Sequence, residues 1–245
     1  MHLIHLPHCG VQIPDKYISD YLLSPEELEA NVYQYADLYT DELYASLFDA
    51  FGGVKSDYSR LFFDPERFFD DSEEHMQKQF GLGWFYENAI LEKKSLRTTK
   101  HKKEIASFYD AHHEKLNALT QEKLDQYGRC TVIDCHSFSN ERYWFHDKEI
   151  ELPDICIGYE PYHTDGELIG KVIEIFSEYK IAINAPYAGS LVPTNYWRKD
   201  ERVKSVMIEI NKKLYLNEDG RTKSNHFETM QKKLNDLATA LKDQS

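Results

Sequence analysis

The chain has 245 residues, enough for one large domain or two small ones and for a sizeable buried core. Its formal net charge of −13 argues against nucleic-acid binding, which needs a basic face, but leaves room for a small anion held by a local arginine cluster. No segment approaches the apolar length of a membrane span, and the N-terminal MHLIHLPHCG is too short and too poor in basic residues for a secretory signal, so a soluble cytoplasmic protein is expected.

Short apolar runs predict strands at 3–6, 59–64, 130–135, 154–159, 180–185 and 206–210. The first leads into LPHCG, where a histidine, His8, stands at the point where the chain turns. Ser24-Pro25-Glu26-Glu27 predicts a helix start, with Ser24 as N-cap, Pro25 at the first helical position and Glu27 closing a capping box. Leu28, Val32, Tyr35, Tyr39, Leu43 and Leu47 then recur at helical spacing until Gly52-Gly53 stops the helix. Further helices are predicted at 101–126, closed by Gly128, at 166–178 and at 222–242, with a polar surface loop at 92–103. No linker or internal repeat divides the chain, so residues 1–245 are expected to form a single α/β domain, a mixed, mostly parallel sheet covered by helices. The four cysteines fit neither a CxxC metal site nor a dense disulfide framework, and Cys130, Cys135 and Cys156 read as reduced core residues. Cys9, beside His8, is a possible nucleophile with His136 as its base.

In VIDCHSFS (132–139), Asp134 and His136 are two apart on a predicted strand and share one face. His8 and His136 both stand where open α/β sheets bind ligands, at the carboxyl ends of strands. Two such histidines raise the question of a metal, since a catalytic zinc takes three protein ligands and keeps one open position. HExxH is absent, so any site must be assembled from distant segments. An acidic ligand is available on the first long helix, where Asp37 and Asp41 share a face beside Glu42, although on spacing alone these acids read as a solvated surface. In YSRLFFDPERFFDD (58–71), Arg60 is either paired with Asp64 or, with Arg67, waiting for an anion that suits its planar fork. Glu209 interrupts the apolar VMIEI; burial there demands a partner, a metal or a raised pKa fit for acid–base work. NAPYAGS (184–190) follows a strand and offers Asn184 and Tyr187 as polar contacts, but no phosphate-binding glycine motif.

The ordered series PHCG, DLYTDELY, YSRLFFDPERFFDD, GLGWFY, SLR, VIDCHSFS, DICIGYE, NAPYAGSLVP and MIEINKKLY, from about residue 5 to residue 218, resembles the N-formylglutamate amidohydrolase family. The resemblance implies a zinc carboxypeptidase-like fold and hydrolysis of N-formyl-L-glutamate to formate and glutamate, a late step of histidine breakdown, with zinc or another divalent metal. It implies His8, Asp37 and His136 as metal ligands, with Asp41 the alternative acid, and Glu209 as catalytic base. Arg60 and Arg67 would bind the substrate's carboxylates, with contacts added by Arg97, Asn184 and Tyr187, and Asp134 would orient a ligating histidine. The family usually has serine at Cys9, arginine at Lys212, and a proline in the stretch that reads FYDAHHEKL here, although His113 keeps its place. None of these departures touches the expected ligands; they leave the exact substrate open. A zinc carboxypeptidase-like peptidase, an amidohydrolase for another N-acyl amino acid, and a non-catalytic dicarboxylate-binding protein are the alternatives. The expected partner is a small carboxylate-bearing substrate, not nucleic acid or membrane.

Overall fold

Strand β3 (Cys130–Phe138) sets the plan of the molecule, because its two faces differ in chemistry. Ile133 and Cys135 point into the main apolar core, whereas Val132, Asp134 and His136 alternate onto the opposite face. The computed structural model describes residues 1–70, 79–141, 143 and 152–242. In it, β3 lies between β1 (His2–Leu6) and β6 (Val203–Asn211), parallel to both. The six-stranded sheet is completed by β2 (Gly53–Lys55), β4 (Ile155–Gly158) and β5 (Ile181–Ile183), in the order β2-β1-β3-β6-β4-β5. Only the β4–β6 junction is antiparallel, so the sheet is mixed and mostly parallel, in one α/β domain as expected.

Helices cover both faces. Phe227, Met230, Leu234, Leu237 and Leu241 of the C-terminal helix (Phe227–Lys242) recur at three- and four-residue steps and pack on Ile133, Ile208 and Ile210. The 26-residue helix Lys102–Tyr127, ended by Gly128 in the left-handed conformation, covers the other face and turns Tyr109, His112, His113 and Leu116 inward. The helix at Gly166–Ile175 adds Leu168 and Val172 to the main core. Among the described residues no helix is long and apolar enough to cross a membrane.

Three expectations need correcting. The stretch 59–64 is not a strand: Phe62 N–H donates to the Ser59 carbonyl in a turn, and Leu61, Phe62 and Phe63 are buried by packing rather than by a ladder. The capping box at Ser24 is present, but the helix it opens ends at Tyr35 instead of running to Leu47. Ala36 is extended and Tyr39 has φ 62°, after which two short helices, Thr40–Leu43 and Ala45–Phe51, carry the apolar periodicity onward. The pattern continues because the same side of the chain still faces the core, so periodicity did not reveal the break. Finally, Gly53 is the first residue of β2 and not merely a stop signal; a Cβ there would lie 2.0 Å from the Ile4 carbonyl oxygen, so only glycine permits this strand to pair with β1.

Candidate metal centre

The polar face of the sheet places the site. Register sets His5 beside Asp134, and His136 beside Glu209, near the carboxyl ends of β1, β3 and β6. His8 follows β1 by two residues, and its carbonyl accepts the N–H of Asp37 at 2.9 Å. That bond holds the broken segment after Tyr35 against the strand end, and the Thr40 hydroxyl locks it by donating to the Asp37 carbonyl at 2.8 Å. The helix break is therefore what brings Asp37 to the histidines. Asp41 faces outward instead, 3.7 Å from Lys55.

Ligand atoms of His8, Asp37 and His136 lie within 4.8 Å of one another, and all three side chains are buried. Asp37 Oδ2 is 3.2 Å from His136 Nδ1 and 3.7 Å from His8 Nδ1. His8 Nδ1 is buried and makes no hydrogen bond. The far nitrogen of each ring faces a carboxylate: His8 Nε2 is 2.8 Å from Asp64 Oδ1, and His136 Nε2 is 3.0 Å from Asp134 Oδ1. Asp64 hydrogen-bonds His8 Nε2 and leaves its Nδ1 to coordinate, and Asp134 lies beside His136 Nε2 without completing a hydrogen bond; a carboxylate behind each imidazole is the usual support of a histidine-ligated cation. Two imidazoles and one carboxylate also suit zinc. The residues thus fit a divalent ion.

A second cluster, His5, Glu66 and Asp134, lies directly behind the first. His5 Nδ1 is 2.9 Å from Asp134 and 3.1 Å from Glu66, and its Nε2 is 2.8 Å from His112 Nε2. Burial opposes a charge on His5, but its hydrogen bonds to Asp134 and then Glu66 outweigh it and raise its pKa to about 9. His5 and Asp134 are fully buried and do not line the main cavity, which this cluster meets only through Glu66. The first triad opens onto a cavity of about 420 Å³, within the usual range for small-molecule sites.

Glu209 lines that cavity, with Oε2 buried and without a hydrogen bond. Burial, only partly offset by His136, pushes its carboxyl up to about 8. Arg60 and Arg67 line it too. Arg60 is paired and placed on the cavity at once: its Nε and Nη2 donate to Asp64 Oδ2 at 3.2 and 2.8 Å, while its guanidinium lies 4.2 Å from the Tyr35 ring centre. Arg67 Nε is 4.0 Å from Asp64 Oδ2 and completes no hydrogen bond. Against burial, the Arg60 charge holds the Asp64 carboxyl well below the usual carboxylate range. Asp64 is thus shared between a cation of the cavity wall and His8.

Tyr187 lines the cavity and packs edge-on against Phe138 at 5.5 Å, but Asn184 and Arg97 do not reach it. The Asn184 side chain accepts the N–H groups of Tyr159 and Gly189, at 2.9 and 3.2 Å, and so shapes the loop that presents Tyr187. Arg97 donates to the carbonyls of Tyr86 and Phe62, at 3.0 and 2.9 Å, with its guanidinium on the Phe85 face, which is a packing role. Cys9 is unsuited to attack: its thiol donates to the Leu6 and Ser56 carbonyls, lies outside the cavity, and is pushed up to about 12 by burial and then by Asp41. Sequence reasoning overlooked Lys212 as a site residue. It follows β6, lines the cavity, and donates to the Ala36 carbonyl at 2.6 Å, and burial lowers its pKa. A lysine placed directly after an apolar strand that ends at the site was the available signal. Glu66 and His113, both on the cavity wall, were missed as well; neither stands in a motif with a chemical meaning of its own.

The fold and the site define an α/β protein with a buried, carboxylate-braced histidine pair at the carboxyl ends of its parallel strands. The sequence profile of the N-formylglutamate amidohydrolase family matches residues 1–216, so the chain belongs to that family, a family of hydrolases. The crystal structure of an N-formylglutamate amidohydrolase from Ralstonia eutropha JMP134 superposes with a TM-score of 0.81 at 22% identity, over 99% of this chain and 92% of that one. A gene product of Agrobacterium tumefaciens superposes at 0.65 and 18% identity, over 98% and 91% of the two chains. At these identities both establish the fold alone. A comparison with curated proteins finds no match.

Proposed function

We propose that the protein is a divalent-metal-dependent amidohydrolase cleaving the amide of N-formyl-L-glutamate or a closely related N-acyl amino acid. One observation carries this reading: the His8–Asp37–His136 cluster opens into a cavity walled also by Arg60, Arg67, Lys212 and an unpaired Glu209. Zinc, or another divalent ion, would be held by His8 Nδ1, His136 Nδ1 and Asp37, and when bound it supplies polarisation of the amide carbonyl and acidification of water. Arg67, Lys212 and the N–H groups of Arg60 not given to Asp64 hold the substrate's carboxylates and so fix the amide beside the cluster. Glu209 accepts a proton from the attacking water and returns it to the departing nitrogen. Asp64 and Asp134 support the coordinating histidines from behind. Tyr187, edge-on to Phe138, adds to the wall of the same cavity. The family match and the fold shared with the Ralstonia protein support this substrate class.

The test is formate release from N-formyl-L-glutamate by the zinc-loaded protein, with and without a chelator. Turnover that a chelator abolishes and zinc restores is the expected result. Tight binding of glutarate or glutamate without any turnover would instead mark a dicarboxylate-binding protein. Turnover indifferent to chelation would remove the metal from the reaction.

A further inference from the structure

The loop that carries Asp37 is gripped from two sides. On one side, the His8 carbonyl takes the N–H of Asp37 and the Thr40 hydroxyl takes its carbonyl. On the other side stands the short turn Lys212–Leu214 that follows β6. Lys212 Nζ donates to the Ala36 carbonyl at 2.6 Å and to that of Gln34 at 3.4 Å, and the Tyr215 hydroxyl donates to the Leu38 carbonyl at 3.0 Å. Lys212 and Tyr215 are three residues apart on so tight a turn that their side chains leave it on the same side. The carbonyls before and after Asp37 are therefore both drawn to this turn. The Asp37 side chain is left to the histidines, where Oδ2 also accepts the Ser137 N–H at 3.2 Å.

The helix Pro25–Tyr35 explains why a cation is needed there. The last carbonyls of a helix have no partner within it. Ala36 is extended instead of forming a left-handed cap, and the last turn holds no basic residue of its own. Lys212, 8% exposed, supplies from the end of β6 the cation that a helix C-terminus favours. Without it the carbonyl of the buried Ala36 would be unpaired, at a cost that drives the backbone to another arrangement and moves the next residue, Asp37, with it. Charge argues the opposite way. Of the charged groups around the ammonium, Asp37 acts on it most strongly. A positive charge beside a ligand carboxylate repels a dication, so on electrostatics alone its removal would tighten metal binding.

We infer that Lys212, with Tyr215, is the positioning clamp of the metal centre: it holds residues 34–38 in the conformation in which Asp37 reaches His8 and His136, and this outweighs its repulsion of the ion. The clamp rests on the reading of His8, Asp37 and His136 as the ligands. It is a second task for Lys212 beside binding a carboxylate. An ammonium has three N–H groups; two are given to the backbone, and the third is left for the cavity.

The experiment measures zinc affinity, by competition with a chelating dye, for the parent, Lys212→Met, Lys212→Arg, Tyr215→Phe, Asp37→Ala and the double variant Lys212→Met/Asp37→Ala. Lys212→Met is expected to bind zinc about 10–100-fold more weakly, the usual effect of removing a group that holds a metal ligand in place. Lys212→Arg, whose fork offers a donor to each carbonyl, recovers most of that loss. Tyr215→Phe loses less, in the same direction, although it changes no charge. In the Asp37→Ala background Lys212→Met costs little more, because the clamp acts through Asp37. Thermal midpoints check that each variant folds; should Lys212→Met not fold, Tyr215→Phe with and without Asp37 reads the clamp in its place. An affinity that is unchanged or tighter in Lys212→Met overturns the inference, as does a loss of the same size with and without Asp37. A parent that binds no zinc, or an Asp37→Ala protein that binds it as the parent does, overturns the ligand assignment and the clamp together.

Discussion

Replacing Glu209 with glutamine separates chemistry from structure at one atom. Oε2 makes no hydrogen bond, and burial keeps the carboxyl protonated up to about pH 8. At neutral pH the metal-free protein therefore exchanges one neutral group for another of the same shape. No hydrogen bond to Oε2 is lost, so the unfolding free energy is expected to change by less than about 1 kcal/mol. A bound dication favours the ionised carboxylate, which is the form that accepts a proton. Loss of that basicity removes a contribution of about 10²–10⁴ in rate, equivalent to about 3–5 kcal/mol of barrier. The assay is kcat on N-formyl-L-glutamate per folded molecule, beside zinc affinity and a thermal midpoint. Zinc affinity and KM are expected to stay near the parent's while kcat collapses. A Glu209→Gln protein that folds, holds zinc and turns over like the parent would refute the assignment. A lowered midpoint with an intact rate per folded molecule would make Glu209 structural.

Asp64→Asn removes the carboxylate 2.8 Å from His8 Nε2, and a 10–100-fold weaker zinc affinity is expected in competition with a chelating dye; an unchanged affinity would mean that His8 needs no brace. Arg60→Lys keeps the charge but cannot both grip Asp64 through two N–H groups and lie over Tyr35, so KM for a dicarboxylate substrate is expected to rise about tenfold or more, and an unaltered KM would place substrate anchoring elsewhere. His2 is packed on Phe51 with both ring nitrogens unpaired, and burial lowers its pKa from 6.5 to about 4. Between those values the unfolded chain binds the proton and the fold does not, so stability is full above pH 6.5 and falls by about 3 kcal/mol on descending to pH 4. Urea titrations of His2→Phe against the parent are expected to lose that slope, and parallel pH profiles would contradict it.

Much of this was legible in the sequence where one segment carries its own chemistry. The alternation in VIDCHSFS placed Asp134 and His136 on one strand face, and an apolar run ending at His8 marked the other strand end. Glu209 betrayed itself by standing among apolar neighbours. What the sequence hid depends on the chain's return to the site from elsewhere. Asp37 reaches the histidines only because the helix breaks after Tyr35 and binds the His8 carbonyl, and the apolar spacing that continues past the break masked it. Arg97 carried the chemistry of an anion ligand, yet its Nε and Nη1 turn to the carbonyls of Tyr86 and Phe62, away from the cavity, which only tertiary packing reveals. His113 lies one turn from Tyr109 on an amphipathic helix, where a buried imidazole and a cavity-facing one look alike in sequence.

The central claim is that His8, Asp37 and His136, and not the deeper His5 cluster behind them, hold the catalytic ion. Zinc affinity measured in parallel for the parent, His8→Ala and His5→Ala tests it directly. The parent is expected to bind one zinc per chain, His8→Ala to lose at least about 100-fold in affinity with one of three protein ligands gone, and His5→Ala to retain binding. Zinc that stays in His8→Ala and leaves His5→Ala would put the ion in the deeper His5 cluster and would contradict the mechanism at its root.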